Sequence, residues 1–472
     1  MSIDALTAGL DRANARPKAR IALAQRIDPW LLGALAVALA IRLFRLDAAP
    51  LWLDETETAI WSSLSVEQAL HTVFDRMAYG RYDPRHLPLY FVIVNAWTSL
   101  TAATPWLLRL PSVVFSLVTV GASAGIAAIL FDKRTARCAA WLAALSPFLV
   151  HHGQEARMYA LVGALAAISI WLLLRYLSGR TARLGIAFGV ANLALVATHY
   201  YTVFLIAGTL AALVVTKPRA WREWAMPAVV SIAGAAVVSY VALVLTKQSS
   251  GEVYGFSVYA VPGVLWSLLA GYVFLPSAEE LHAAHLAAIR PYLPWMMVGG
   301  SAAAVLGIAG LRRVSRHDAV SVGLVLMAVL AGPFAVAAVF PKISLNPRYL
   351  TAAVPLLLAI LAAGCVAATA RRWLAIPAIA LLGVLLSANV LHLAQPGQKR
   401  EDIPAAGAWI ESHLAADTPL LVTSAEMVSL ARYHWPQRRI EAYPARNDIV
   451  DPARAAPLAA ALPFAGRDRV GY

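Results

Sequence analysis

The feature that most constrains this chain is a series of apolar runs, each long enough to cross or nearly cross a bilayer. They lie at about 30 to 46, 106 to 131, 136 to 151, 156 to 176, 183 to 216, 225 to 246, 292 to 311, 319 to 340, 349 to 369 and 373 to 394. Backbone placed in lipid must satisfy its own hydrogen bonds, so such runs become helices packed on helices. The run from 183 to 216 would reach roughly 50 Å at about 1.5 Å per residue, against a hydrocarbon core of about 30 Å. It is therefore expected to fold as two spans with a tight hairpin at Thr198-His199-Tyr200-Tyr201. A composition that is 60% hydrophobic and 14% charged agrees with a polytopic membrane protein.

The net charge of +13 does not point to nucleic acid, because Lys and Arg sit in short clusters between apolar runs and form no basic face on a soluble domain. Cys138 and Cys365 both lie inside apolar segments, so they read as small apolar fillers and not as a disulfide framework. Ala38-Leu39-Ala40 has the form of a signal cleavage site, but the long basic leader and the continuation AIRLFRL favour an uncleaved first helix.

Short cytoplasmic loops collect Lys and Arg, and this rule arbitrates the span count. The clusters Arg12 to Arg26, Lys133-Arg134 with Arg137, Arg175 to Arg183, Lys217 to Arg222, Arg312-Arg313 with Arg316, and Arg371-Arg372 share one side only if the runs at 86 to 103 and 261 to 275 do not cross. The expected architecture is an all-α polytopic membrane protein with about eleven transmembrane helices, its N-terminus cytoplasmic and its C-terminus outside. The two excluded runs become helices lying at the outer interface, with Tyr90, Trp97, Tyr259 and Trp266 at headgroup level. Residues 1–28 form a cytoplasmic basic leader, 29–395 the transmembrane domain with its first outer loop at 47–105, and 396–472 a small extracytoplasmic domain. There a helix, a short strand at Pro419 to Thr423 and a second helix make a small α/β unit.

This topology gathers the unusual residues outside. In LWLDETETA, Asp54 reads either as the cap of a helix starting at Glu55 or Thr56, or as a general base at the membrane edge, and both roles can coexist. Glu55 and Glu57 suit the first turn of that helix. HHGQEARMY places His151, His152, Glu155, Arg157 and Tyr159 at the outer mouth of a helix hairpin, with Arg157 either solvated or meeting a phosphate. Metal binding by His151, His152 and Glu155 is weighed and set aside, because adjacent histidines rarely present to one ion without a turn. In NPRYL, Arg348 either anchors at the interface or grips a phosphate, its fork matching phosphate oxygens. His199, Tyr200 and Tyr201 are divided between an aromatic belt and a cavity wall. Arg109, Arg85 and His86 complete a set of outward basic positions around a carboxylate loop, as an anionic lipid-linked ligand would require.

In order along the chain, WLDETETA, HLPLYF, LLRLPS, SPFLVHHGQEARMYAL, THYY and PRYL resemble the polyprenyl-phosphate-sugar-dependent glycosyltransferases of the GT-C superfamily. The closest group resembles the bacterial relatives of protein O-mannosyltransferases and of lipid A aminoarabinose transferases, over roughly residues 30 to 395. The resemblance implies a first outer loop of two interfacial helices, Asp54 as catalytic base with Glu55 beside it, and Arg348 near the donor phosphate. Arg157, His199, Arg85 and His86 are the further phosphate-binding candidates, and Glu155, His152, Tyr159, Tyr200 and Tyr349 line the substrate cavity. HLPLY stands where two successive prolines are usual, and His86 replaces a Lys, so the donor-side contacts depart from the common pattern.

The implied reaction moves a sugar from a polyprenyl-phosphate carrier to an extracytoplasmic lipid, glycan or protein, with inversion, in a bacterial inner membrane. No cofactor is required, and a divalent cation is compatible with the site. Two rivals stand beside it. A transporter or lipid flippase would carry ionisable groups near mid-membrane and repeated halves, and a noncatalytic scaffold would need no cavity around Asp54.

Overall fold

A computed structural model of the chain describes residues 28–64, 88–179, 181–216, 261–276, 283–339, 345–396, 401–422 and 427–442, with isolated positions between 225 and 280. Helices dominate. In chain order they are α1 Pro29–Leu43, α2 Leu53–Ser62, α3 Pro88–Leu100, α4 Pro105–Leu130, α5 Lys133–Ala144, α6 Pro147–Gly153, α7 Tyr159–Ser178, α8 Ala182–Val196, α9 Val203–Thr216 and α10 Val261–Ala270. After these come α11 Leu293–Leu311, α12 Arg316–Val339, α13 Val354–Ala367, α14 Ala375–Ala394, α15 Ile403–His413 and α16 Met427–His434, with strands β1 Leu420–Val422 and β2 Ile440–Ala442. Among the described residues, six helices are long and apolar enough to cross a membrane: Pro105–Leu130, Tyr159–Ser178, Ala287–Leu311, Arg316–Val339, Pro347–Ala367 and Arg372–Ala394.

Local chemistry sets many of the starts. Asp28, Thr104, Asp132, Ser146 and Thr181 each accept a backbone N–H at the head of a helix, and in three of these helices a proline follows the cap. The Ser146-Pro147 pair also corrects one expectation. The run at 136 to 151 is not a continuous helix: α5 stops at Ala144 and α6 begins at Pro147, because proline offers no N–H and crowds the preceding turn. The long run from 183 to 216 does divide, with a turn of 3-10 helix at Tyr200–Thr202 between α8 and α9. The runs at 86 to 103 and 261 to 275 contain helices of 13 and 10 residues. At about 1.5 Å per residue neither reaches across a core of about 30 Å. Most of the run at 225 to 246 and the cluster Lys217 to Arg222 lie outside the described residues.

Two ends of the bundle are distinct. At one, Asp28 meets Lys133 at 3.4 Å and Arg137 at 2.9 Å, while Arg313 meets Asp132 at 2.8 Å and donates to the Ala363 carbonyl at 2.8 Å. At the other, helix C-termini are closed by side chains. The fully buried Arg42 donates to Ser116 Oγ at 2.7 Å and to the carbonyls of Ala144 at 3.0 Å and Ala143 at 3.2 Å, ending α5. Gln154 donates to the carbonyls of Ile41, Arg42 and Phe44 at 3.3, 3.1 and 3.0 Å, ending α1. Arg45, in left-handed backbone at φ 53°, reaches the carbonyls of Leu393 and Ala394, both at 3.1 Å, ending α14. Cations at helix C-termini also oppose the macrodipole.

α11 and α13 approach backbone to backbone. A Cβ at Gly310 would strike the Ile360 carbonyl, and one at Gly364 the Leu306 carbonyl. In the C-terminal segment β1 and β2 pair in parallel, Leu420 opposite Ile440, and the second strand was not read from the sequence. Residues beyond 442 lie outside the described set. α16 docks on the chain ahead of α2, where His434 Nε2 lies 2.8 Å from the Leu51 carbonyl oxygen.

Candidate active site

The LWLDETETA stretch forms α2, but Asp54 is not its cap. Trp52 occupies the cap position in extended backbone with no side-chain capping bond, and Asp54 lies within the first turn. Its carboxylate is instead drawn sideways by cations from distant elements. Arg348 Nη1 donates to Asp54 Oδ2 at 2.8 Å, and Arg157 Nη2 lies 3.6 Å from the same oxygen. Arg157 Nη1 also donates to the Asp54 backbone carbonyl at 2.8 Å and lies 3.5 Å from Glu57 Oε2. Asp54 and Glu57 are three apart on a helix and so share a face, which explains their common partner. Glu57, expected only to favour the helix dipole, therefore belongs to the constellation.

Glu55 faces elsewhere. It receives both forks of Arg109, Nε to Oε1 at 2.8 Å and Nη2 to Oε2 at 2.7 Å, in a pair with side-chain exposures of only 2% and 0%. Arg109 further donates to the carbonyls of Leu46, Ala49 and Pro50 at 2.7, 3.0 and 3.2 Å. Glu55 Oε1 also accepts the Ala156 N–H at 2.8 Å. Glu55 thus ties the segment ahead of α2 to α4 through Arg109 and holds the turn carrying Arg157.

Glu155 and Arg157 lie in a tight turn between α6 and α7. Arg157 is 1% exposed. Burial works against its charge, but the carboxylates of Asp54 and Glu57 hold its pKa above the ordinary arginine value. Arg348, by contrast, is reachable: its side chain is 25% exposed, beside Asp54 at 19%. It follows Pro347 at the start of the 3-10 turn Pro347–Ala353, where Asn346 Oδ1 accepts its N–H at 3.2 Å. Its guanidinium lies over the rings of Tyr159 at 5.3 Å and Tyr349 at 5.9 Å, a cation–π arrangement that orients a charge without neutralising it. Its Nε is buried and, among the described residues, has no hydrogen-bond partner, a donor held ready for an acceptor.

An aromatic wall extends from there. Tyr201 stacks on Tyr349 with centroids 4.2 Å apart, and His199 stacks on Tyr200 at 4.6 Å. His199 Nδ1 accepts the Tyr201 N–H at 3.2 Å, so this nitrogen shapes the hairpin turn, and the ring stands in the wall between Tyr159 and Tyr349. Glu155 and His152 are bonded to each other at 2.9 Å, with the His152 ring 5.2 Å from that of Tyr159. Burial pushes the His152 pKa down to about 4, against the opposing pull of Glu155. Arg85 and His86 lie outside the described residues.

Sequence reasoning missed Tyr272 and Gln154. Tyr272 sits in a run read only as an interfacial helix.

Residues 84–245 match the family described as dolichyl-phosphate-mannose-protein mannosyltransferase. That segment takes in Glu155, Arg157, Tyr159 and His199, while Asp54 and Arg348 lie on either side of it. Among solved structures, ArnT from Cupriavidus metallidurans in the apo state aligns with a TM-score of 0.54 at 16% identity, over 88% of this chain and 85% of that one. The same protein bound to undecaprenyl phosphate aligns with a TM-score of 0.51 at 16% identity, over 92% and 88%. The arabinofuranosyltransferase AftD from Mycobacteria aligns at 0.51 with 18% identity, over 85% of this chain but 30% of its own. A comparison with curated proteins finds no match. The chain therefore has the GT-C glycosyltransferase fold that its motifs pointed to, in a multi-pass membrane protein.

Proposed function

We propose that the chain is an integral-membrane glycosyltransferase that moves a hexosyl or pentosyl unit from a polyprenyl-phosphate donor to an extracytoplasmic lipid, glycan or protein, with inversion. The observation that carries this reading is the reachable Asp54 carboxylate held 2.8 Å from Arg348 and backed by the buried Arg157. Displacement at an anomeric carbon linked to phosphate asks for one base at the incoming oxygen and positive charge at the departing one. Asp54 takes the proton of the acceptor hydroxyl as its oxygen bonds to the anomeric carbon. The bond from that carbon to the phosphate oxygen breaks, its electron pair stays on the polyprenyl phosphate, and the phosphate gains one negative charge. Arg348, with Arg157 behind it, meets that charge.

The ground-state contact fits this order. While Arg348 is bonded to Asp54 the base is occupied; an arriving donor phosphate competes for the guanidinium and frees the carboxylate. The match of residues 84–245 to the mannosyltransferase family and the fold shared with the undecaprenyl-phosphate-bound ArnT support a lipid-phosphate donor. The reading places the active site and the C-terminal segment on the periplasmic face of a bacterial inner membrane.

The test is transfer from a panel of polyprenyl-phosphate sugars by the purified protein. Asp54→Asn should lose transfer by about a thousandfold or more while the fold is retained, since general base catalysis contributes about 100- to 10,000-fold. Wild-type turnover in that variant would refute the assignment.

A further inference from the structure

Adjacent histidines on a helix point about 100° apart, which is why the pair His151-His152 argued against a shared ion. The structure removes that objection. α6 ends at Gly153, the chain turns at Gln154, and Glu155 folds back beneath both rings. His151 Nε2 lies 3.2 Å from Glu155 Oε1 and His152 Nδ1 lies 2.9 Å from Glu155 Oε2. Donor atoms from all three residues fall within 4.8 Å of one another.

We propose that His151, His152 and Glu155 bind one divalent transition-metal ion of the zinc class, with a fourth position left open. A tetrahedral ion with bonds of about 2.0 to 2.1 Å sets its ligands about 3.3 Å apart; the two short contacts run to different oxygens of Glu155, so a small turn of the carboxylate presents one oxygen to both imidazoles. Two imidazoles and one carboxylate suit zinc, cobalt or nickel and are a poor set for magnesium or calcium, which take oxygen ligands.

The surroundings supply what such a site needs. A ligating histidine is oriented by a partner on its other nitrogen, and Tyr272 Oη lies 3.3 Å from His152 Nε2. With Nδ1 turned to the ion, Nε2–H donates to that hydroxyl. Tyr272 follows Gly271, whose left-handed φ of 67° favours glycine and where an added Cβ would come within 3.2 Å of Pro147. His152 and Glu155 are buried, whereas the His151 side chain is 17% exposed and offers the way in. Beside it lies His392, its ring 5.4 Å from that of His151 and its Nε2 3.0 Å from Gln154 Oε1. The ion would pin the turn between α6 and α7 to the Tyr272 loop. The inference does not rest on the transfer reaction.

The test uses full-length protein in detergent, stripped with chelator and returned to Zn2+ or Co2+. One equivalent of Zn2+ should be retained after desalting, and Co2+ should give the intense visible absorption of a tetrahedral site. His152→Gln and Glu155→Gln should abolish that retention, and Tyr272→Phe should weaken affinity by about tenfold or more, as outer-sphere partners do. A wild-type protein that retains no Zn2+ and gives no tetrahedral Co2+ spectrum overturns the proposal. Retention unchanged in both His152→Gln and Glu155→Gln overturns it equally. The wild-type Co2+ spectrum decides the matter even where a variant fails to fold.

Discussion

At the residue scale, Asp54 and Glu55 are neighbours with different partners. Glu55 is fully buried and its oxygens are taken by Arg109 and by a backbone N–H, so removing either charge strands the other in a dry interior. Glu55→Gln or Arg109→Met should each cost about 3 to 5 kcal/mol of stability, read by thermal unfolding in detergent. Arg109→Lys should not restore it, because an ammonium cannot reproduce the two-pronged contact and the three carbonyl bonds. Asp54→Asn, with its carboxylate partly open, should leave unfolding nearly unchanged and act on turnover. The sequence carried Asp54 and Arg348 as site residues because an acidic loop and a PRY motif beside spans are costly unless used. It put Asp54 first with Glu55 beside it but gave no sign that Glu55 meets Arg109, which depends on how α2 is rotated. That rotation is a tertiary fact: α2 is capped at Trp52 and not at Asp54.

At the element scale, hydropathy located the helices, while their ends and breaks followed side-chain chemistry. The hairpin at Tyr200 was legible from length alone. The break at Ser146-Pro147 was hidden inside an apolar run that looked continuous. Helix contact adds a second check. Gly310→Leu and Gly364→Leu should each destabilise the α11–α13 pair by about 1 to 3 kcal/mol or more, since the inserted atoms meet backbone that cannot move aside. Gly300→Ala and Gly307→Ala meet nothing within 4 Å and should be neutral or stabilising by up to about 1 kcal/mol, which thermal unfolding would show. Asp132 caps α5 and pairs with Arg313, and Asp132→Ala should cost about 1 kcal/mol in the same measurement. Burial raises the Asp132 pKa, but its bonds to Thr135 and the Arg313 charge outweigh that and hold it below the usual value. Its contribution is therefore present above about pH 4 and fades as acid protonates the folded carboxylate.

For the whole molecule, the separation of the two ends makes orientation testable. One end carries Asp28 with Lys133 and Arg137, and Arg313 with Asp132, and the other carries Asp54 and the candidate site. A reporter fused after Gln395 should read extracytoplasmic; a cytoplasmic signal there would reverse the arrangement and remove Asp54 from the outer face. The contact of His434 with the Leu51 carbonyl links the C-terminal segment to the loop that presents Asp54. The sequence offered helix and strand for that segment but no sign of its docking, because the docking partner is a backbone carbonyl and leaves no pattern in residue type.

Arg42 has a consequence for how the protein is made. Its guanidinium sits in the first apolar helix, yet the carbonyl of Ala144 that it caps lies 102 residues further along. At about 5 to 20 residues per second, the ribosome needs roughly 5 to 20 s to deliver that partner. During this interval the first helix carries an unmatched charge that lipid disfavours. It should therefore stay beside the insertion machinery until α5 arrives, so the first and third long hydrophobic segments leave together.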